Sequence, residues 1–269
     1  MKKVLSLNLM LAAAFALLAT SAFAGPSRSF IQEMGMVQAN KEVTIDLNET
    51  VYNGNLPAAN GAAPTALGNS NLLNFQVNVG AFGGEVRIGQ SLGAGYGNYI
   101  GYKAVVIPNL ALYANVGYIH GDPSPSATGN TYTGETDLTI GGAYTFNLMP
   151  VILNLNPEYR SFNQSNSGTA GVYESSALNL NAAILFPLSA DWIIGAEYLY
   201  SSLGWNNSST GQITSENTIG LGIRWKANSN VTVDGVVYGN ASASVDGGGT
   251  APSYSAFGTP AILKVNVKL

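Results

Sequence analysis

Hydrophobic and polar residues alternate with a period of two along most of the chain. Within residues 73–79, Leu, Phe and Val occupy the odd positions, and Asn and Gln occupy the even ones. Residues 110–118 and 263–269 repeat this pattern. Strict alternation is typical of β-strands with one apolar and one polar face. We predict about twelve strands, at roughly 43–52, 72–81, 84–92, 96–107, 110–119, 136–146, 151–160, 176–187, 192–201, 215–226, 230–240 and 257–269.

The connections between these strands alternate between short turns and long polar loops. Short turns are predicted at 82–83, 108–109, 147–150, 189–191 and 226–230. Long loops are predicted at 53–71, 120–135, 161–175, 202–214 and 241–256, with a shorter loop near 93–95. An all-β, transmembrane antiparallel up-and-down β-barrel has this order of connections, and tilted strands of this length cross the hydrocarbon layer. A soluble β-sandwich is the alternative, but its edge strands need protective charges.

Hairpin register provides a second indication of a barrel. Pairing Phe146 with Val151, and Trp225 with Val231, keeps the apolar rows on one face across both turns. The first of these registers also places Asp137 directly opposite Arg160. We therefore expect an ion pair on the polar face.

The first residues have the order of a secretory signal peptide. Lys2 and Lys3 precede an apolar stretch over 4–18, and the small-x-small sequence Ala-Phe-Ala ends at residue 24. An uncleaved membrane anchor is the alternative. We predict a signal peptide over 1–24, a periplasmic lead-in over 25–41 and the barrel over 42–269. The lead-in is expected to hold a short helix from Ser29 in the periplasm, with insertion into the lumen as the other possibility.

Composition fits a barrel better than a soluble domain or a helical membrane protein. Charged residues make up 10% of the chain, against roughly 25% in soluble domains. Beyond Leu18 no apolar run has the length of a membrane helix. The chain has no cysteine, so disulfides and thiolate chemistry are excluded. Acidic residues outnumber basic ones by 15 to 11, which argues against nucleic acid as a partner.

The inward-facing positions hold six acidic and five basic side chains, and this confinement to one face indicates that the face meets water. A solvated outer face of a soluble sheet would give the same pattern. The predicted lumen-lining charges are Asp46, Glu85, Arg87, Lys103, Asp137, Glu158, Arg160, Glu197, Arg224, Asp234 and Lys264. Their near-zero sum predicts a channel with weak ion selectivity.

Aromatic residues on the outward face cluster at strand ends, as in the two interfacial girdles of membrane barrels. On the short-turn side, the predicted girdle comprises Phe146, Phe186, Trp192 and Trp225. On the long-loop side, it comprises Tyr118, Tyr159, Tyr198, Tyr200 and Phe257.

These features together resemble the bacterial outer-membrane β-barrel (porin-like) superfamily. The resemblance covers the mature chain and is architectural, without a sharp motif of one specific family. It implies outer-membrane location in a Gram-negative-type cell, lipid as a partner, and recognition of the last strand, Ala261 to Leu269, by the barrel assembly machinery. Such strands usually end in Phe, whereas this chain ends in Leu269.

Candidate chemistry for an enzyme is sparse. The single histidine stands in the sequence His120-Gly121-Asp122, which lacks the His-x-Ser motif of outer-membrane phospholipases and lipid A deacylases. A His–Asp couple of the omptin protease type is not supported by this loop setting. We therefore predict no enzyme, no cofactor and no metal site. The favoured function is a porin-like channel for passive diffusion of small hydrophilic solutes. A non-conducting structural or surface-interaction barrel is the alternative, and an outer-membrane enzyme is third.

Overall fold

The computed structural model describes residues 28, 30, 32–56, 65–92, 96–120, 131–167, 174–205, 213–245 and 261–269. The predicted signal peptide, Phe257 and the central parts of several predicted loops lie outside these residues. In the described part of the chain, no helix has the length and apolar character needed to cross a membrane.

Twelve antiparallel strands form one closed barrel. Each strand pairs with its neighbours in sequence, and the first pairs with the last through eight residue pairs from Thr44–Lys268 to Val51–Ala261. Closure leaves no strand edge with unpaired backbone groups, which is the condition for a sheet to sit in lipid. The predicted fold is confirmed. The strands are β1 (Val43–Leu56), β2 (Thr65–Ala81), β3 (Gly84–Leu92), β4 (Tyr96–Ile107), β5 (Leu110–His120), β6 (Thr131–Leu148), β7 (Val151–Ser167), β8 (Glu174–Pro187), β9 (Trp192–Trp205), β10 (Ile213–Lys226), β11 (Val231–Val245) and β12 (Ala261–Lys268).

Several strands continue beyond their predicted ends on the long-loop side. β6 begins at Thr131 and β7 ends at Ser167, so their ladder extends through residues predicted as loop. These extensions are rich in Thr, Ser, Asn and Gly. Side chains there no longer need to alternate between lipid and lumen. The alternation of apolar and polar residues is therefore lost, although the backbone pairing continues.

The predicted register of two hairpins is wrong by two residues. Phe146 pairs with Leu153, and Trp225 pairs with Val233. The first turn is tighter than predicted because Leu148 already pairs with Val151. A shift of two preserves which face each side chain occupies. The error therefore leaves the assignment of inner and outer faces unchanged.

Asp137 and Arg160 are diagonal neighbours instead of directly opposed residues. Asp137 pairs with Phe162, and Arg160 pairs with Thr139. The Arg160 side chain still reaches Asp137, with Nη2 2.7 Å from Oδ2. Diagonal neighbours on one face lie within the reach of long side chains. The expected ion pair is present although its predicted register is not.

The outer face of the barrel is apolar and exposed. Ile140 and Leu221 are 53% and 49% exposed, and the other large exposed residues are mostly Leu, Ile, Val and aromatic side chains. Trp192 and Trp225 stack on this face beside the short turns, with ring centroids 5.9 Å apart. Among the predicted girdle residues, Tyr118, Tyr159, Phe186 and Tyr198 are exposed, whereas Phe146 and Tyr200 are partly buried. An apolar belt of this extent needs a hydrocarbon surrounding.

The prediction of residues 25–41 as a periplasmic lead-in is wrong for the part that the structure describes. Residues 28, 30 and 32–38, here called the N-terminal plug, lie inside the barrel, where Phe30, Glu33 and Met34 are buried. The described plug residues form no helix; Arg28 and Glu33 instead form an isolated β-bridge. The plug enters the lumen because buried polar groups on the barrel wall hydrogen-bond to it.

A charge on the outer face should destabilise the barrel much more than a charge on the inner face. Leu221→Arg places a cation at an exposed, lipid-facing position, and we expect a loss of roughly 2–4 kcal/mol in folding free energy near the bilayer midplane. Asn181→Arg is the matched control, because Asn181 lines an internal cavity. Urea unfolding in lipid vesicles measures the loss of folding free energy in each variant. Equal losses would contradict the assignment of the two faces.

Candidate functional site

The centre of the lumen is organised around the carboxylate of Glu33, which belongs to the plug. Arg87 donates to it through both terminal nitrogens, at 2.9 and 2.8 Å. Lys103 donates at 3.0 Å and Arg28 at 2.7 Å. Arg87 also contacts Glu85 at 2.8 Å. Burial by itself would raise the pKa of the Glu33 carboxyl, but the cations Arg28, Arg87 and Lys103 hold that pKa well below its usual range.

This cluster is buried from solvent. The side chains of Glu85, Arg87 and Lys103 are all 0% exposed. A buried cation is strongly unfavourable unless a counter-ion and hydrogen bonds compensate for lost hydration. Glu33 supplies that compensation to two neighbouring strands, β3 and β4. The plug is therefore part of the electrostatic structure of the wall.

On the other side of the lumen, Phe30 holds the plug against the wall. Its backbone N–H donates to Glu197 at 3.0 Å, and Lys264 donates to its carbonyl oxygen at 3.0 Å. The Phe30 ring packs in an apolar cluster with Met34 of the plug and with side chains of three strands, β7, β8 and β11. The cluster comprises Phe30, Met34, Ile152, Leu185, Val236 and Tyr238.

Glycines make room for the plug at two points. A Cβ atom at Gly222 would lie 2.6 Å from the Phe30 ring, so glycine in β10 creates the notch that the ring fills. Gly35 of the plug passes close to the turn before β5, where a Cβ atom would lie 1.7 Å from the carbonyl oxygen of Asn109. Close approach of two backbones is a typical reason for glycine at a position.

Further hydrogen bonds connect the plug to the remaining wall. The Glu33 N–H donates to Asn156 at 3.2 Å, and Asn154 donates to the Glu33 carbonyl at 2.6 Å. The Gly35 N–H donates to the Thr145 hydroxyl at 2.8 Å. The Gln38 N–H donates to Glu85 at 3.0 Å. Together with the Phe30 contacts, these bonds join opposite sides of the barrel through the plug.

The wall charges Arg224, Asp234 and Asp46 have partners within the wall itself. Arg224 donates to both oxygens of Asp234, at 2.6 and 2.7 Å. Asp46 accepts from the amides of Asn78 and Asn266, at 2.9 and 2.7 Å. Loss of one partner of such a buried pair would destabilise the barrel, so these charges contribute to its stability.

The structure places all the sequence-predicted lumen charges on the inner side of the barrel. Eight of them are buried, namely Asp46, Glu85, Arg87, Lys103, Glu197, Arg224, Asp234 and Lys264. The other three, Asp137, Glu158 and Arg160, line a cavity. Sequence reasoning missed Arg28 and Glu33, because they were assigned to the periplasm. Two apolar residues, Phe30 and Met34, stand beside these charges in the sequence. A periplasmic segment would leave all four side chains without partners, and this was the signal that could have indicated the lumen.

A cavity of about 550 Å³ lies on the long-loop side of the plug, and we call it the vestibule. Its floor includes Arg28, Gln32 and Glu33 of the plug. Its walls come from the parts of β4–β9 that lie towards the long loops. They carry tyrosines, amides and charged side chains, including Tyr99, Tyr113, Asn115, Asp137, Asn156, Glu158, Arg160, Asn179, Asn181 and Ser201. The vestibule therefore presents polar groups from several strands and ends at the plug.

Nothing in the described residues forms a recognisable metal centre: no group of three or more His, Asp or Glu side chains is placed to hold an ion. His120 is the last residue of β5, where its backbone pairs with Tyr96 and Gly134. The absence of a catalytic activity stays a prediction.

Comparison with known proteins shows similarity in structure only. No protein-family profile and no curated protein sequence matches the chain. The fold is similar to an outer membrane channel from Pseudomonas putida F1, with a TM-score of 0.57 and 9% identity over 86% of this chain and 96% of that one. The translocator domain of the autotransporter NalP from Neisseria meningitidis gives a TM-score of 0.53 and 10% identity, over 100% and 98%. The NanC porin gives 0.50 and 6%, over 84% and 98%. The chain thus has the fold of bacterial outer-membrane β-barrels.

Removal of the Glu33 carboxylate should destabilise the protein strongly. Glu33→Ala leaves Arg87 and Lys103 buried with Glu85 as the remaining carboxylate nearby, and breaking a buried ion cluster in this way costs on the order of 3–5 kcal/mol. Glu42→Ala is the matched control, because Glu42 pairs at 2.7 Å with Lys268, which is 35% exposed. We expect that loss to be about 0–1 kcal/mol. Urea unfolding of the purified barrel measures both. Similar small losses would show that the Glu33 cluster is not a buried anchor.

Proposed function

We propose that the protein is an outer-membrane channel for small hydrophilic solutes, closed in the described conformation by its own N-terminal plug. The apolar outer belt, the closed sheet and the shared fold support the outer-membrane barrel. In this proposal a signal peptide over 1–24 directs the chain across the inner membrane. The barrel assembly machinery then recognises the strand from Ala261 to Leu269.

The observation that carries the proposal is the plug joined to opposite walls of a polar lumen. Phe30 contacts β9 and β12 through Glu197 and Lys264. Three residues further on, Glu33 contacts β3 and β4 through Arg87 and Lys103. A segment held across the lumen in this way obstructs solute passage at that level.

The plug is suited to leave without unfolding the barrel. Its described residues form no part of the twelve-stranded sheet, and the backbone ladders between the wall strands do not include it. The attachments to the wall strands are side-chain hydrogen bonds, ion pairs and apolar contacts. Once the plug is displaced, the inner wall would present six acidic and five basic side chains to water, which favours weak cation selectivity.

A sealed, non-conducting barrel is the second candidate, and one observation favours it. The carboxylate of Glu33 already has three cationic partners, and the plug backbone is hydrogen-bonded at several points. Such complete pairing stabilises the plugged state. In that case the protein would act through its surface or as a structural element of the membrane.

Planar-bilayer conductance distinguishes the two candidates. We expect the wild-type barrel to be closed with rare openings. Phe30→Ala combined with Glu33→Ala should conduct persistently with weak cation preference, because both anchors of the plug are removed and the water that enters the lumen hydrates Arg87 and Lys103, which stay buried when Glu33 alone is changed. Val37→Ala, a smaller truncation at a half-buried plug position that leaves both anchors in place, is the control and should behave like wild type. If the double variant folds and inserts yet remains silent, the sealed barrel is the correct function.

A further inference from the structure

The vestibule contains a continuous row of hydrogen-bonded polar side chains along its wall. The Ser201 hydroxyl donates to Asn179 at 2.8 Å, and the Asn179 amide donates to Glu158 at 3.0 Å. Tyr113 donates to the other Glu158 oxygen at 2.8 Å, and Asn156 donates to the Tyr113 oxygen at 2.7 Å. The row crosses β9, β8, β7 and β5. Since each side chain is fixed by its neighbour, the polar atoms are held in place before a ligand arrives.

We propose that the vestibule is a binding site for a neutral polyhydroxylated solute of mono- or disaccharide size. This inference rests on the proposed channel function, because it names the class of solute that the channel would take up. A cavity of about 550 Å³ lies within the roughly 300–1,000 Å³ range of small-molecule sites.

The electrostatics of the vestibule favour a neutral ligand. Arg160 is paired with Asp137 at 2.7 Å. The carboxylate of Glu158 already accepts from two neutral donors, and that of Glu33 is compensated by cations. An anionic ligand would have to compete with Asp137 for Arg160. A cationic ligand would find the charges of Glu33 and Asp137 already balanced by cations, which leaves Glu158 as the described vestibule carboxylate held by neutral donors.

The same groups retain the capacity to bind hydroxyls. A carboxylate oxygen has two lone-pair directions, so both oxygens of Glu158 can accept a further hydrogen bond. Amides such as Asn181 offer one acceptor and two donor hydrogens. Hydroxyl groups donate and accept at once, so a polyol can satisfy both kinds of wall group.

Apolar surface in the vestibule completes the requirements for a sugar ring. Tyr99, Tyr113 and Leu199 also line the cavity. The Tyr99 hydroxyl donates to Gln76, which fixes the position of its ring. Aromatic rings with a polar tip provide a flat apolar face together with a hydrogen-bonding group. The C–H face of a pyranose can pack on such a ring while its hydroxyls reach the polar row.

Isothermal titration calorimetry of the folded, detergent-solubilised mature protein tests this site. The neutral probes are maltose, lactose and sucrose, and the charged probes are glucose 6-phosphate and spermidine. We expect at least one disaccharide to bind more tightly than either charged probe. Glu158→Gln and Asn181→Ala should each weaken that binding roughly threefold to tenfold, as for the loss of one hydrogen bond. Asp191→Asn, the same type of change as Glu158→Gln in an exposed short turn, should leave affinity unchanged.

Three results would overturn the inference. They are the absence of binding of all three disaccharides at millimolar concentration, tighter binding of a charged probe, and unchanged disaccharide affinity in both vestibule variants. The measurement is made at equilibrium without solute flow. A barrel that binds the sugar but never conducts, even in the Phe30→Ala, Glu33→Ala variant, would refute the channel and retain the site. A conducting barrel that binds no sugar would refute the sugar site and retain the channel.

Discussion

The interior of this barrel depends on the pairing of buried charges across a narrow lumen. Arg87 and Lys103 project inward from β3 and β4 and are fully buried. A cation removed from water in this way requires a nearby carboxylate with good hydrogen-bond geometry. Glu85 provides one such group, and Glu33 of the plug provides the other. The plug is thereby fixed by a requirement of the wall itself, and the division of the lumen into a closed part and an open vestibule follows from its position.

The plug and the sheet are stabilised by different interactions. Backbone ladders hold the sheet, whereas the plug meets the wall strands through side chains, ion pairs and the Phe30 cluster. Glycine in β10 shapes the notch for Phe30, so the wall is built to receive this ring. Because the two sets of interactions are separate, the occupancy of the lumen can change while the barrel stays intact. This separation is the physical basis of our proposals that the plug acts as a gate and that the vestibule binds solute.

Alternation of apolar and polar residues was sufficient to predict the strand number, the barrel and the inner and outer faces. A two-residue error in hairpin register, as at Phe146, left those faces unchanged because side-chain direction repeats every two residues. The strand extensions beyond the membrane could not be predicted, since their polar residues do not alternate. The plug was also missed. Most of its contacts with the wall join residues 47 to 234 positions apart in the sequence, as in the pairs Gln38–Glu85 and Phe30–Lys264, and local periodicity carries no information about such contacts.

Thiol labelling of the plug tests the central claim, that this segment fills the lumen, most directly. The chain has no cysteine, so a single introduced thiol reports on one position. Met34→Cys places it in the buried cluster of the plug, and Asp191→Cys places it in an exposed turn. With a water-soluble maleimide on the folded protein, Met34→Cys should remain largely unlabelled while Asp191→Cys reacts rapidly, and unfolding should make both react. Equal rapid labelling of both variants in the folded protein would place the segment outside the lumen and contradict the account.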